Sequence, residues 1–212
     1  MKFKPTYSQK DVEVLEDECL YKGFFEMRKL TLRHKKFNGE WSHPMTREMM
    51  VRSDAVCVLL FDPIADKVLL IEQFRPTVMR SDSPWLLELL SGMVEEGESD
   101  EEVARRESFE EAGVTVKRLE YMFKFVPSPG GLVEYLRMYA GEFDSSLVDV
   151  DKIHGLDDEN EDIKLHLVTS DAAIALLKHD VENASTIMGL QWFALKMILS
   201  RVGALKRISL TG

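Results

Sequence analysis

Two cysteines, Cys19 and Cys57, are all that the 212 residues contain. That excludes a disulfide framework and a cysteine-built zinc site, and it fits a reducing compartment. Cys57 stands inside the apolar run AVCVLLF, where it reads as a small core residue. Cations are also scarce: 27 Lys and Arg face 37 Asp and Glu, for a net charge of -10. A nucleic-acid-binding face needs clustered Lys and Arg, so nucleic acid is not an expected partner. An anionic small substrate stays open, because bound metal ions bring positive charge that a sequence does not display. Long apolar runs are missing too. The longest, IMGLQWFALKMIL, is interrupted by Gln191 and Lys196 and is too short to span a bilayer. The opening residues carry no apolar core of a signal peptide. The expectation is a cytoplasmic protein without a membrane partner.

What is present reads as strands with few helices. Residues 11–35 alternate loosely and predict two strands, followed by a turn at KFNGEW and a further short strand. These first 50 residues hold too few apolar positions for a core of their own. They are expected to pack on the rest of the chain or on a second subunit. AVCVLLF and KVLLIEQF, joined by DPIAD, predict two buried strands around a turn. WLLELLSG reads as one short strand, VTVKRLEYMFKFV and LVEYLRMYAGEF as two more around PSPGG, and IKLHLVT as another. Ser170 and Asp171 are expected to open a helix through residue 179. Residues 184–200 predict a final helix, apolar on most sides and therefore largely buried. The class this defines is α+β, an α/β/α sandwich on a mixed sheet.

Residues 92–113, GMVEEGESDEEVARRESFEEAG, concentrate nine carboxylates against two cations. Ser99 followed by Glu102 makes a capping box, and Gly113 suits a left-handed C-terminal cap. Between them, Ala104, Ser108 and Ala112 form a stripe of small side chains on which a helix can lie close to a sheet. Glu107, Glu110 and Glu111 fall together on the neighbouring face, within about 100° of arc. Ionised carboxylates at these spacings destabilise a helix by roughly 0.2–0.5 kcal/mol per pair. A divalent, oxygen-seeking cation reverses the sign of that effect. A solvated acidic surface helix satisfies the same pattern.

The spacing Gly92, five residues, Glu98, seven residues, then Arg106-Glu107-Ser108-Phe109-Glu110-Glu111-Ala112-Gly113-Val114 resembles the Nudix box, G-x5-E-x7-R-E-U-x-E-E-x-G-U. Ser108 departs from it, standing where the box has a bulky aliphatic residue (U). With LYKGFF, LFDPIADKVLLIEQFRP, FVPSPGG and HGLDDENEDI, the chain resembles the ADP-ribose pyrophosphatase branch of the Nudix hydrolases. That resemblance implies a Nudix α/β/α sandwich over residues 51–212, preceded by a small antiparallel β-sheet domain over residues 1–50 that makes a homodimer. It implies hydrolysis of the pyrophosphate bond of ADP-ribose to AMP and ribose 5-phosphate with Mg²⁺, Mn²⁺ being a substitute. A hydrolase of another nucleotide sugar, such as GDP-mannose, is the alternative among the enzymes of the superfamily, and a nucleotide-binding Nudix protein without turnover is the alternative of another functional class.

The same resemblance distributes roles. Glu107 and Glu111 hold metal, with Glu110 as a ligand or just behind the ligands. The Ser91 carbonyl is a further metal ligand. Gly92, Glu98, Arg106 and Gly113 are structural, Glu98 and Arg106 as an ion pair. In the second acidic stretch, residues 154–163, Glu159 is implied as the catalytic base and Glu161 as a metal contact, although by residue pattern alone this is an acidic surface loop. Arg47 and Arg75 match contacts to phosphate or nucleotide, Phe24 an aromatic that stacks on adenine, and Ser128 and Glu134 contacts near the terminal ribose. A strand-end ion pair for each arginine, and a core position for Phe24 with Phe25 in its role, satisfy the residues equally. His154 is assigned nothing. The reading of Glu159 predicts that Glu159→Gln lowers kcat by orders of magnitude with folding intact; near-normal turnover by a folded variant overturns it.

Overall fold

The structure, a computed structural model, describes residues 3–156 and 160–209, with side chains described through residue 200. The chain divides into two compact units, residues 1–53 with 126–135, and residues 54–125 with 136–212.

The first unit is a four-stranded sheet. Strands β1 (Val12–Lys22), β2 (Glu26–His34) and β3 (Met45–Val51) pair antiparallel in sequence order, and β9 (Leu132–Val133) adds parallel to β3. The KFNGEW turn closes between β2 and β3 with a Lys35–Trp41 bridge. Strand β1 is an edge strand, and Val12, Val14, Leu15, Leu20 and Tyr21 along it are exposed.

The second unit is built on a seven-stranded mixed sheet. Its path runs β11 (Lys164–Thr169), β5 (Lys67–Phe74), β4 (Ala55–Asp62), β10 (Leu136–Glu142), β8 (Arg118–Phe125). Strands β4 and β10 are parallel and the other neighbours antiparallel. Side chains alternate across a strand, so β4 and β5 feed two cores. Val56, Val58, Leu60, Leu69 and Ile71 pack with Val103, Ala104 and Ala112 of the α1 (Asp100–Glu110) region. Cys57, Leu59, Val68 and Leu70 pack with Ala173 of α2 (Ser170–Ala175) and with Leu190 and Phe193 of α3 (Ala184–Ser209). Burial on both faces is why these strands read as unbroken apolar runs. The hairpin turn between them is tied by buried Asp62, which accepts hydrogen bonds from the Ile64 and Ala65 amides and from Ser145 and is thereby held well below the usual carboxylate range.

The hairpin opens beyond its turn. Leu60–Asp62 pair with Lys67–Leu69, but Ala55–Val58 pair instead with β7 (Leu90–Met93), and Ile71–Phe74 with β6 (Trp85–Glu88). WLLELLSG is therefore two strands that fill the wedge between β4 and β5. The break falls at Leu89, whose N–H bonds the Thr186 hydroxyl at 3.1 Å instead of a ladder partner. LVEYLRMYAGEF also divides: β9 joins the first unit's sheet and β10 the second's. Helix α2 opens at Ser170, and the Thr169 hydroxyl caps it by accepting the Ala172 N–H. The final helix is less buried than its composition suggests, because Leu195, Ile198 and Leu199 are exposed while Leu190 and Phe193 face the core.

Helix α1 has Ser99 as its N-cap with the full capping box, and Gly113 at φ +66° follows its C-terminal end. Ser108 is fully buried and its hydroxyl bonds the Ala104 carbonyl at 2.6 Å. A small residue at this position seats the helix against the sheet. Ser108→Leu is expected to overpack that contact and destabilise the fold by about 1–3 kcal/mol, read as a lowered melting temperature.

Candidate active site

The acidic face of α1 is pressed onto β7. Gly92 pairs with Val56 in the sheet, and a methyl group built on Gly92 would overlap the Glu107 carboxylate outright. Glycine at this position is what lets that carboxylate lie over the strand. Glu111 lies one turn further on, 3% exposed, and accepts the Ser91 backbone N–H at 2.9 Å. Burial pushes the Glu111 carboxyl well above its ordinary value, and repulsion from Glu107 and Glu161 adds to this. The Ser91 N–H and the positive charge of Arg75 oppose it. Glu107, 13% exposed at its side chain, is also raised by burial and by repulsion from Glu110 and Glu161, against the pull of Arg106.

Arg106 organises the outer edge. Its Nε and Nη2 grip the two Glu98 oxygens at 2.9 and 3.0 Å, a forked pairing that holds Glu98 below the usual carboxylate range. Its Nη1 reaches Glu107 at 2.6 Å and Glu110 at 3.0 Å, and Nη2 also meets the Met93 carbonyl at 3.2 Å. The loop before α1, the helix and the end of β7 are thus tied by one guanidinium, whose own acidity these carboxylates suppress.

Glu161 reaches this cluster through a glycine that the sequence reading passed over. His154 and Ile163 pair across the base of the loop, and Gly155 takes φ +101°. A side chain there would meet the Glu161 Cβ at 2.6 Å. Leu156 donates its N–H to the Glu161 carboxylate at 3.4 Å and accepts the Glu161 N–H at 3.2 Å. Glu159 lies outside the described residues. Among the described residues, no three Asp, Glu, His or Cys side chains already converge in metal-ligand geometry.

Arg75, beyond β5, is paired with Glu88: Nε and Nη2 meet Oε2 at 3.0 and 2.8 Å. The remaining four sequence-derived positions lie in the first unit. Glu134 is buried and paired with Arg52 at 3.1 Å; the Arg52 guanidinium lies over the Phe25 ring at 5.4 Å, and Phe25 meets Phe24 edge-on. Phe24 is 78% exposed, so it is not a core residue. Arg47, exposed on β3, bonds the Thr46 carbonyl, and the Ser128 carbonyl accepts the Gly131 and Leu132 amides in a turn. Sequence reasoning missed Arg52, Glu88 and Gly155. The first two carry no local motif, and their roles come from partners distant in sequence.

A NUDIX domain model matches residues 51–196, and the chain belongs to that family. Among its relatives is the ADP-ribose pyrophosphatase of Escherichia coli (strain K12), 45% identical over 192 residues that cover 90% of this chain and 91% of that one. The ADP-ribose pyrophosphatase of Haemophilus influenzae is 44% identical, over 89% of this chain and 88% of that one. The GDP-mannose pyrophosphatase of Pectobacterium atrosepticum is 33% identical, over 86% and 97%. A crystal structure of an ADP compounds hydrolase shares the fold with a TM-score of 0.70 at 19% identity, covering 92% of this chain and 98% of that one.

The raised Glu111 carboxyl carries a stability consequence. Between the ordinary value of 4.5 and the folded value, the folded chain keeps a proton that the unfolded chain has released. Stability therefore falls as pH rises through that window. Glu111→Gln removes the loss while keeping an acceptor for the Ser91 N–H. With a chelator present, the variant is expected to melt above the wild type at pH 8, the difference closing as pH falls toward 4.5.

Proposed function

We propose that this protein hydrolyses the pyrophosphate bond of ADP-ribose to AMP and ribose 5-phosphate. The observation that carries the substrate is the 44–45% identity, over about nine-tenths of the chain, to relatives named for that activity. The relative named for GDP-mannose stands at 33%. The chemistry is supported by a buried carboxylate, Glu111, beside the half-buried Glu107 against β7, with Glu161 near both.

This donor set fits a hard divalent cation. All its groups are oxygens, and the crowding that raises Glu107 and Glu111 is relieved by a positive charge between them. Glu107, Glu111, Glu161 and the Ser91 carbonyl would hold Mg²⁺, or Mn²⁺ in its place, with Glu110 at the edge where Arg106 keeps it. Such an ion would neutralise charge on the pyrophosphate and would lower the pKa of a bound water. The chain's own residues position the groups: Gly92 gives Glu107 its room, Ser91 aims Glu111, and Arg106 locks the helix to the preceding loop. Arg75 contacts phosphate through the guanidinium edge turned away from Glu88. Glu159 is assigned as the base that accepts a proton from the attacking water.

The first unit, with the N-terminal 50 residues at its heart, is assigned to homodimerisation and to the nucleotide. Support for the dimer comes from the exposed apolar residues along β1, since an open apolar strand edge invites pairing. Phe24 is available to stack on adenine, with Arg47, Ser128 and Glu134 toward the rest of the ligand. A cytoplasmic site of action suits a chain whose cysteines are Cys19 and Cys57 alone; among the described residues no helix is long and apolar enough to cross a membrane. The deciding experiment assays a panel of nucleoside diphosphate sugars with Mg²⁺ for phosphatase-sensitive product. ADP-ribose is expected to give the highest kcat/KM; a guanine sugar turned over faster overturns the substrate, and no turnover of any member overturns the enzyme.

A further inference from the structure

We propose that Glu88 and Asn183 are positioning residues that hold Arg75 in a single orientation for a phosphate of the substrate; this rests on the proposed phosphate contact of Arg75. Glu88 ends β6 and is 2% exposed, an unusual place for a carboxylate unless it is fully hydrogen-bonded. It is so bonded. Oε2 takes Arg75 Nε and Nη2 and, at 3.1 Å, Gln73 Nε2, while Oε1 takes Asn183 Nδ2 at 2.7 Å.

Asn183 is engaged at both ends. Its Oδ1 accepts the Thr186 N–H at 3.1 Å and the Ser185 hydroxyl, which makes it the N-terminal cap of α3. The Thr186 hydroxyl takes the N–H of Leu89. The first turn of α3 therefore grips Glu88 and Leu89, the two residues at which β6 ends and β7 has yet to begin. From that anchored point one carboxylate oxygen reaches the Nε–Nη2 edge of Arg75. Guanidinium geometry then turns the Nη1 edge away from Glu88, and Arg75 is close enough to Glu111 to favour its ionised form. An arginine tail left free loses much rotamer entropy on binding; one fixed in advance loses little. Mere burial of an ion pair accounts for Glu88 and Arg75, but not for a second anchor on the far oxygen that joins the pair to a helix cap.

The test is a double-mutant cycle on the full chain with Glu88→Gln, Arg75→Ala and the double variant, alongside Asn183→Ser, which retains a good N-cap residue. Two quantities are read: the Kd for ADP-ribose in a chelator, and KM and kcat with Mg²⁺. Glu88→Gln and Asn183→Ser are each expected to raise Kd and KM about tenfold, the size of one charge-assisted hydrogen bond, while kcat moves by less than about threefold. In the Arg75→Ala background, Glu88→Gln is expected to add no more than about twofold. An undiminished effect of Glu88→Gln in that background, or an unchanged Kd and KM in the single variants, overturns the inference. A wild type that binds ADP-ribose with this pattern of Kd values but does not cleave it overturns the proposed activity and supports the positioning role.

Discussion

The close approach of α1 to β7 is the constraint on which the site depends. Helix and strand meet where the strand has glycine, and the space a side chain at Gly92 would fill holds the Glu107 carboxylate. The approach is possible because the helix and the turn that ends it present Ala104, Ser108 and Ala112, all buried, to the sheet. It also requires a strand at that place, and the sheet supplies one only because β4 and β5 diverge and leave an opening for residues 85–93. Small side chains, a missing side chain and a split hairpin are three parts of a single arrangement, which buries Glu111 and half-buries Glu107 beside it.

Such an arrangement is electrostatically uphill, and the cations around it are placed to limit the climb without removing it. Arg106 contacts Glu107 and Glu110 but commits its fork to Glu98. Arg75 commits two nitrogens to Glu88. Neither guanidinium makes a hydrogen bond to Glu111 among those described, which instead receives one uncharged N–H. Had either arginine been fully spent on Glu107 and Glu111, the acids would be ordinary ion-pair partners. With one Arg106 nitrogen on Glu107 and none of either arginine's on Glu111, the two acids stay crowded, the condition under which an incoming cation binds most favourably.

Legibility of this protein in its sequence followed the range of the interactions. Helix α1 was readable almost to its ends because the capping box and Gly113 are local signals. Strands β4 and β5 were readable because both of their faces are apolar. The grouping of acids on α1 followed from helical periodicity, and the box spacing carried the family. The splits at Leu89 and between Val133 and Leu136 were not readable, since Glu88 and Glu134 each read as the polar position of an alternating strand and the breaks are imposed by a Thr186 hydroxyl and by a change of sheet. The exposed side of α3 was misread for a related reason: composition counts apolar residues but does not say which have a neighbour. Glu88 looked like one more polar position in a strand, because its partners Arg75 and Asn183 stand far from it in sequence.

The membership of β9 in the first sheet bears on how the chain comes together as it is made. Met50 and Val51 pair with Leu132 and Val133, so the fourth strand of that sheet leaves the ribosome only after β4 through β8 have been synthesised. Closing so long a loop carries an entropy cost that grows with the logarithm of its length. Strands β1 to β3 can associate early through short turns, but the acidic side chain of Glu134, which pairs with Arg52, arrives on the late segment. The sheet that is begun first in synthesis is thus completed only once the second unit's first segment, residues 54–125, exists.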